Sequence, residues 1–283
     1  MTKVTLEEII RRVKDIPTLP NITNEIMRLT EDPDSTVRDI ENVIMKDQSL
    51  TARILRLANS AYYGYPRRIS TISEASVLLG FQAIRSITLT ASVGGLLVRE
   101  VPGYGLEKNE LWKQSQSCAI ISRYIARKVH FARVDQAYVA GLLRDIGKVI
   151  VSYYLTEYFK QIMNLVENEN ISFLDAEEEI LGFHHGQVGA EIAKKWNLPE
   201  ELAEAIAYHH NPEKATINPK LTSIVHIADA IVMTLGIGLG VDGMVYNFSG
   251  EAIKFLGIDE PMLDQIISDV SDLLLDEDAF TIT

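Results

Sequence analysis

Residues 141–148 read GLLRDIGK, and short histidine-bearing segments follow them along the second half of the chain. Imidazole nitrogens and carboxylate oxygens supplied by separate helices are what a divalent-metal site in a helical bundle requires. A His-His dipeptide alone is more often a surface or cap feature, so the ordered series carries the signal. The series comprises Asp145, then His184 and His185 opening one predicted helix, His209 and His210 closing another, and His226 three residues before Asp229.

Helix signals surround these segments, and strand signals are nearly absent. Thr5, Thr36 and Thr71 each stand three residues before an acid, which is the pattern of a capped helix start. Apolar residues recur at helical spacing behind Thr36 and Thr71. A linker with proline and glycine at 99–109 separates this part from the rest. Further helices are predicted at about 110–129, 134–145, 157–169, 173–181, 186–196, 200–210 and 219–235, followed by a glycine-rich loop at 236–243 and two short tail helices.

The composition restricts the class of protein. The chain has 283 residues, 47% of them apolar, and a net charge of -12. The negative charge argues against unassisted binding to nucleic acid or to an anionic membrane, since the pair Arg67-Arg68 is too small to change its sign. The single cysteine, Cys118, excludes an internal disulfide and is expected to be buried. The charged N-terminus predicts no signal peptide, and the most apolar stretch, 224–241, carries His226 and Asp229, so we expect a cytoplasmic protein without a membrane span.

Taken together, the segments resemble the HD superfamily of metal-dependent phosphohydrolases, and the chain from about 10 to 260 resembles its HDOD branch. The resemblance implies an all-α fold, an HD-domain-like helical bundle with an N-terminal HDOD helical subdomain. It implies domains at 1–98 and 109–240 and a C-terminal helical tail at 241–283. The matching segments are LP at 19–20, DQSLT at 47–51, NSAYYG at 59–64, WKQS at 112–115, GLLRDIGK at 141–148, HGQVGA at 185–190, WNLP at 196–199, HHNP at 209–212 and HIAD at 226–229.

Two departures from the family pattern affect the expected metal site. Gln114 stands where the family has its first ligand histidine, and Arg144 replaces the histidine of the His-Asp pair. Glutamine is a poor ligand for a transition metal, and arginine stays protonated and has no lone pair to donate. Its charge would repel a dication by several kcal/mol even at an effective dielectric constant of about 20. We therefore expect no metal ion between Asp145 and Asp229.

Three interpretations of Arg144 stay open at this point. Its guanidinium could pair with Asp145 or Asp229 and replace the missing ion in packing. Alternatively, Arg144 and Lys148, with Gln114, could form an anion pocket that holds a phosphate without cleaving it. The third interpretation is a residual site for Fe, Mn or Zn made by His185, His209, His210 and Asp145, positions that the resemblance matches to the second-metal ligands of dinuclear HD enzymes.

The resemblance and its departures lead to two function hypotheses. The first is a non-catalytic signalling or regulatory HDOD protein in a bacterial cell, without a cofactor, acting on a signalling protein partner in trans and binding a nucleotide or phosphate ligand. HDOD proteins are often fused to or paired with sensory, response-regulator or cyclic-di-nucleotide modules. The rival is a metal-dependent phosphohydrolase or phosphodiesterase, in which Asp145, Lys148 and Asp229 would be the catalytic residues.

Overall fold

The computed structural model describes residues 5–12, 18–60, 63–169, 171–241 and 248–274. These residues form fifteen α-helices and no β-strand, with one isolated antiparallel bridge between Val101 and Leu106. The prediction of an all-α fold is therefore confirmed. The contacts within the chain divide it into two compact units, which are described in turn.

The first unit comprises Thr18–Gly95 and Asp269–Thr283. Its cap signals act as the sequence predicts. Thr36 accepts a hydrogen bond from the Asp39 N–H while the Asp39 carboxylate accepts one from the Thr36 N–H, and Thr71 accepts one from the Glu74 N–H. The apolar faces of the helices close over a core that includes Ile26, Ile40, Ile54 and Ile84. The helices are α2 (Asn21–Leu29), α3 (Val37–Ile44), α4 (Gln48–Ala58), α5 (Ile72–Leu79) and most of α6 (Phe81–Leu97).

The second unit comprises Met1–Pro17 and Leu96–Ser268, and it contains the histidine-bearing segments. Within it, α7 packs against α8 and α13, α11 packs against α9 and α12, and α12 packs against α8 and α13. These packings bring helix ends that are distant in sequence close together. The helices are α1 (Leu6–Arg12), α7 (Glu110–Lys128), α8 (Val134–Leu143), α9 (Lys148–Glu169), α10 (Phe173–Leu181), α11 (His185–Lys195), α12 (Glu200–Tyr208), α13 (Pro219–Thr234), α14 (Gly250–Leu256) and most of α15 (Glu260–Leu274).

The structure differs from the predicted elements mainly at α9. That helix begins at Lys148 rather than near residue 157. Its first turns are rich in β-branched residues, which are weak helix formers, but Val149, Ile150 and Val151 are buried, so tertiary packing overrides propensity. The second tail helix, α15, is 15 residues long rather than short. The glycine-rich loop at 236–243 falls partly outside the described residues, as does the C-terminal end of the tail.

The two units meet in sequence at Gly95 and Leu96, close to the predicted boundary at 98. The contact division also groups 1–17 with the second unit and 269–283 with the first. The domains 1–98, 109–240 and 241–283 stay predictions, because compact contact groups do not establish which segments fold independently. Among the described residues, no helix combines the length and apolarity needed to cross a bilayer.

Candidate functional site

A buried polar cluster forms where helix ends of the second unit converge. Arg144 and Asp145 follow α8, Lys148 and His185 begin α9 and α11, His209 and His210 follow α12, and Asp229 lies within α13. Glu177 of α10 completes it. Seven of these eight side chains are buried, and His210 is partly buried. We call this set the buried cluster: Arg144, Asp145, Lys148, Glu177, His185, His209, His210 and Asp229.

Arg144 joins the two aspartates of the cluster. Its Nε donates a short hydrogen bond to Asp229 Oδ1, and its Nη2 lies 3.2 Å from Asp145 Oδ2. Its side chain is fully buried. Burial by itself lowers the pKa of Arg144, but Asp145 and Asp229 outweigh burial and raise it, so the guanidinium stays charged. The predicted pairing of Arg144 with these carboxylates is confirmed, and Arg144 pairs with both.

Lys148 approaches the same oxygen of Asp145 as Arg144 does. Its Nζ donates a 2.8 Å hydrogen bond to Asp145 Oδ2 and lies 5.5 Å from the centre of the Tyr104 ring. Burial raises the pKa of Asp145, but the two cations outweigh it and hold that pKa well below its usual range. Asp145 is therefore an anion. Its Oδ2 contacts both Arg144 and Lys148, and its Oδ1 faces the other side of the cluster.

The histidines occupy that other side. Asp145 Oδ1 lies 3.3 Å from His185 Nε2 and 3.5 Å from His209 Nε2, and His185 Nε2 lies 3.0 Å from His210 Nε2. One ligand-capable atom from each of Asp145, His185, His209 and His210 falls within 4.8 Å of the others. The structure therefore brings together the four residues that the sequence proposed as a residual metal site.

The outer nitrogens of two of these rings are held by hydrogen bonds. His185 Nδ1 lies 2.8 Å from Glu177 Oε2, and His209 Nδ1 lies 2.8 Å from the Ile206 carbonyl oxygen. Acceptors at Nδ1 keep the proton there and direct both Nε2 atoms toward Asp145 Oδ1, which is how metal-binding histidines are commonly oriented. Glu177 also accepts a short hydrogen bond from the Tyr104 hydroxyl.

Sequence reasoning missed Glu177 and Tyr104. The sequence does contain a signal that could have identified Glu177. It lies four residues after Phe173 and four before Leu181, and both of these are buried on the same face of α10. A carboxylate in the middle of an apolar helical face needs a buried partner. Tyr104 lies in a short 3-10 helix (Pro102–Tyr104) inside the predicted linker, where nothing in the sequence distinguishes it.

The surroundings of His185 favour its protonated form. Burial lowers the pKa of His185, but the charge of Glu177, the Glu177 hydrogen bond and the 3.3 Å contact with Asp145 outweigh it and raise that pKa to about 9. Three basic groups, Arg144, Lys148 and His185, thus face three carboxylates, Asp145, Glu177 and Asp229. Burial and the neighbouring histidines hold the pKa of His210 well below its usual range, so His210 is neutral.

Two further residues that the sequence suggested for the site, His226 and Gln114, use their side chains in hydrogen bonds with backbone atoms. His226 Nδ1 donates to the His209 carbonyl oxygen at 2.7 Å, and its Nε2 accepts from the Ser249 N–H at 2.9 Å, so both ring nitrogens are used. Buried Gln114 donates from Nε2 to the Gly238 carbonyl oxygen at 3.3 Å. Its Oε1 is buried without a hydrogen-bond partner among the described residues. The contacts of Gln114 therefore lie with the loop after α13.

Close backbone contact at Gly147 allows the cluster to assemble. A Cβ atom at this position would lie 1.9 Å from the His185 carbonyl oxygen and 2.7 Å from the Gly189 nitrogen. Both atoms belong to the α11 backbone, which cannot rotate away as a side chain could. Glycine at 147 thus lets the turn between Asp145 and Lys148 touch the start of α11, which carries His185.

Comparisons with known proteins agree with this architecture. The model of the HDOD domain family matches residues 16–212, which is more than half of the chain. The chain belongs to the HDOD family. An uncharacterized protein of Treponema pallidum (strain Nichols) is 31% identical over 203 residues, which are 71% of this chain and 38% of the relative. This HDOD chain therefore spans well under half the length of that relative.

Solved structures share the fold over nearly the whole chain. A crystal structure of an HDOD domain protein of unknown function from Geobacter sulfurreducens is 29% identical, with a TM-score of 0.79, and covers 99% of this chain and 97% of that one. A protein of Shewanella amazonensis SB2B with a provisional phosphohydrolase name is 23% identical, with a TM-score of 0.74 and 96% of both chains covered. At that identity, the likeness shows the fold alone.

The two halves of the buried cluster differ in whether their side chains suit a metal ion. The half between Asp145 and Asp229 holds the Arg144 guanidinium, whose positive charge repels a cation. In the other half, Asp145 Oδ1 and His209 Nε2 are buried without a hydrogen-bond partner among the described residues. Three imidazoles and one carboxylate are a donor set that suits zinc, iron or manganese. The histidine half therefore fits one such ion, once His185 loses its proton.

Proposed function

We propose that this chain is a regulatory HDOD protein that does not hydrolyse phosphate esters and acts through contacts with a signalling protein partner. The observation that carries the proposal is the position of Arg144. Its guanidinium contacts Asp145 and Asp229, the two carboxylates that the HD resemblance assigns to a catalytic ion. Without an ion at that position, no group lowers the pKa of an attacking water from its ordinary value toward about 7.

The surviving side chains do not supply an alternative to the ion. Asp145 is a weak base, because Arg144 and Lys148 stabilise its anion. Arg144 and Lys148 are buried and engaged with carboxylates, which also weighs against the earlier hypothesis that they and Gln114 form a phosphate pocket. The ion pairs instead support a structural role, in which the guanidinium fixes α8 against α13.

Hydrolysis assays test the proposal directly. We expect turnover of nucleotides, cyclic di-nucleotides and aryl phosphodiesters to stay at background with added Mn²⁺, Fe²⁺, Mg²⁺ or Zn²⁺. The double variant Gln114→His with Arg144→His should bind more metal than the wild type, measured by elemental analysis. Arg144→Lys is the matched control, since it keeps the charge and should not gain metal. Wild-type turnover that disappears in Asp145→Ala would overturn the proposal.

A second candidate function is a metal-dependent phosphohydrolase that uses the histidine half alone. Asp145 Oδ1 and His209 Nε2 favour it, because both are buried without a hydrogen bond among the described residues and a bound ion would satisfy both. His185, His209, His210 and Asp145 would hold the ion, which would supply Lewis-acid chemistry. Purified protein would then contain one ion per chain that is lost in His209→Ala, together with turnover that is lost in the same variant. Bound metal without turnover would indicate a structural ion and leave the regulatory proposal in place.

A further inference from the structure

A groove on the second unit follows the histidine half of the buried cluster in the chain. Its walls come from a short 3-10 helix (Pro212–Lys214), which begins two residues after His210, from the start of α13 and from α14. We call this surface the α14 groove. Its apolar lining residues are Pro212, Ala215, Pro219, Ala252 and Phe255, and its polar ones are Glu213, Ser223 and Glu251.

Phe255 forms an exposed wall of the α14 groove. The seven-residue helix α14 buries Ala252 and Leu256, whereas Phe255 is 60% exposed. Pro212 and Ala215, which line the same groove, are buried. Single exposed apolar residues are common on protein surfaces, but here the aromatic ring borders a concave apolar surface. That combination is typical of an interaction site.

Hydrogen bonds hold the walls of the α14 groove together. The Ser249 Oγ donates to the Glu213 carboxylate and accepts from the Ala252 N–H at 3.1 Å. The Ser249 N–H donates to His226 Nε2 at 2.9 Å. Ser249 therefore links α14 to both the 3-10 helix and α13. A surface with fixed walls loses less conformational entropy when a partner binds.

The rim of the α14 groove is acidic. Glu213 and Glu251 are exposed, and among the described residues no lysine, arginine or histidine lines the groove. Lys214 and Lys254 are exposed on the same elements but do not line it. A second copy of the chain would bring the same carboxylates and a further net charge of -12, so like charges oppose self-association through this surface.

We propose that the α14 groove docks a basic segment of the signalling partner, with one apolar side chain in the groove between lysine or arginine residues. The volume of about 190 Å³ lies below the range of about 300–1,000 Å³ for small-molecule sites, which favours one side chain over a whole ligand. An apolar anchor in a pocket, surrounded by polar contacts, is the usual centre of a protein interface. Glu213 and Glu251 match the flanking cations. The inference rests on the proposed function for the existence of a partner.

Fluorescence anisotropy of the full chain with the labelled peptide Lys-Lys-Leu-Lys-Lys tests the docking. We expect saturable binding that weakens by about tenfold in Phe255→Ala, because the wall against the anchor is lost. Glu251→Lys should weaken binding by a similar factor, since it places a cation on the rim. Tyr153→Ala and Glu260→Lys are the matched controls, because both residues are exposed and neither lines the groove. They should keep the wild-type affinity within about twofold, and circular dichroism should show that each variant is folded.

A second peptide and the oligomeric state separate the remaining outcomes. Lys-Lys-Ser-Lys-Lys should bind about tenfold more weakly, because it lacks the apolar anchor. The proposal is overturned if the wild type does not bind the leucine peptide, if the serine peptide binds equally well, or if Glu260→Lys weakens binding as much as Glu251→Lys. A dimer that Phe255→Ala converts into a monomer in analytical ultracentrifugation would assign the surface to a second copy instead. Turnover by the wild type would count against the proposed function and leave these binding results unchanged.

Discussion

At the scale of single residues, Arg144 is expected to contribute most to stability through its two carboxylate partners. Arg144→Ala would leave Asp145 and Asp229 buried with less compensating charge, and we expect it to lower the free energy of unfolding by about 3–5 kcal/mol. Urea denaturation at pH 7 measures this change. Arg127→Ala, at an exposed position on α7, is the control and should change stability by about 0.5 kcal/mol or less. Equal effects of the two substitutions would contradict the buried pairing.

His185 makes stability depend on pH in a defined direction. Its folded pKa of about 9 lies above the ordinary value of 6.5, so folding favours the protonated form. That contribution is fully present below pH 6.5 and is lost as pH rises through about 9. Glu177→Gln removes the adjacent charge, and the His185 pKa, followed by NMR of the ring protons, should fall by about 1–3 units. The decrease in the free energy of unfolding between pH 6.5 and 9 should shrink in the same variant. A His185 pKa unaffected by Glu177→Gln would show that Glu177 does not control it.

At the scale of elements, the turn before α9 can lie close to α11 only because residue 147 is a glycine without a side chain. Gly147→Ala would place a methyl group 1.9 Å from the His185 carbonyl oxygen, so we expect a loss of several kcal/mol or failure to fold. Gly95→Ala is the matched substitution, because it lies within α6 with nothing within 4 Å of the new Cβ. It should stabilise the protein by up to about 1 kcal/mol, since alanine is a better helix former. Thermal unfolding measures the stability of both variants. If Gly147→Ala is as stable as the wild type, the turn before α9 and α11 can move apart.

At the scale of the whole molecule, the negative net charge is expected to prevent the binding of polymeric anions such as DNA. The net charge of -12 should prevent measurable binding of double-stranded DNA at about 150 mM salt, because binding of that polymer depends on many simultaneous phosphate contacts. An electrophoretic mobility assay with a basic DNA-binding protein as positive control tests this expectation. Retention of DNA by the wild type would show that a local basic surface overcomes the total charge.

The sequence predicted most of the fold because helix signals are local. Threonine caps, apolar residues at helical spacing and glycine stops act within a few residues of each other, so the predicted helices around Thr36, Thr71 and His185 agree with the structure. The start of α9 was predicted too late. Its β-branched first turns are weak helix formers by local criteria, and burial against other elements decides their conformation.

Residues 141–148 and the histidine series were sufficient to indicate the HD superfamily and the members of the possible metal site, and the N-terminal segments at 19–20, 47–51 and 59–64 pointed to its HDOD branch. The resemblance also implied that Arg144 stands in place of a ligand histidine, and arginine has no lone pair to bind a metal ion. Only the tertiary structure decided that Arg144 contacts both Asp145 and Asp229, that His226 points elsewhere, and that Glu177 holds His185. Those contacts join positions up to 85 residues apart in sequence, as between Arg144 and Asp229. Local sequence patterns determine helices, whereas the packing of helices determines which side chains meet at their ends.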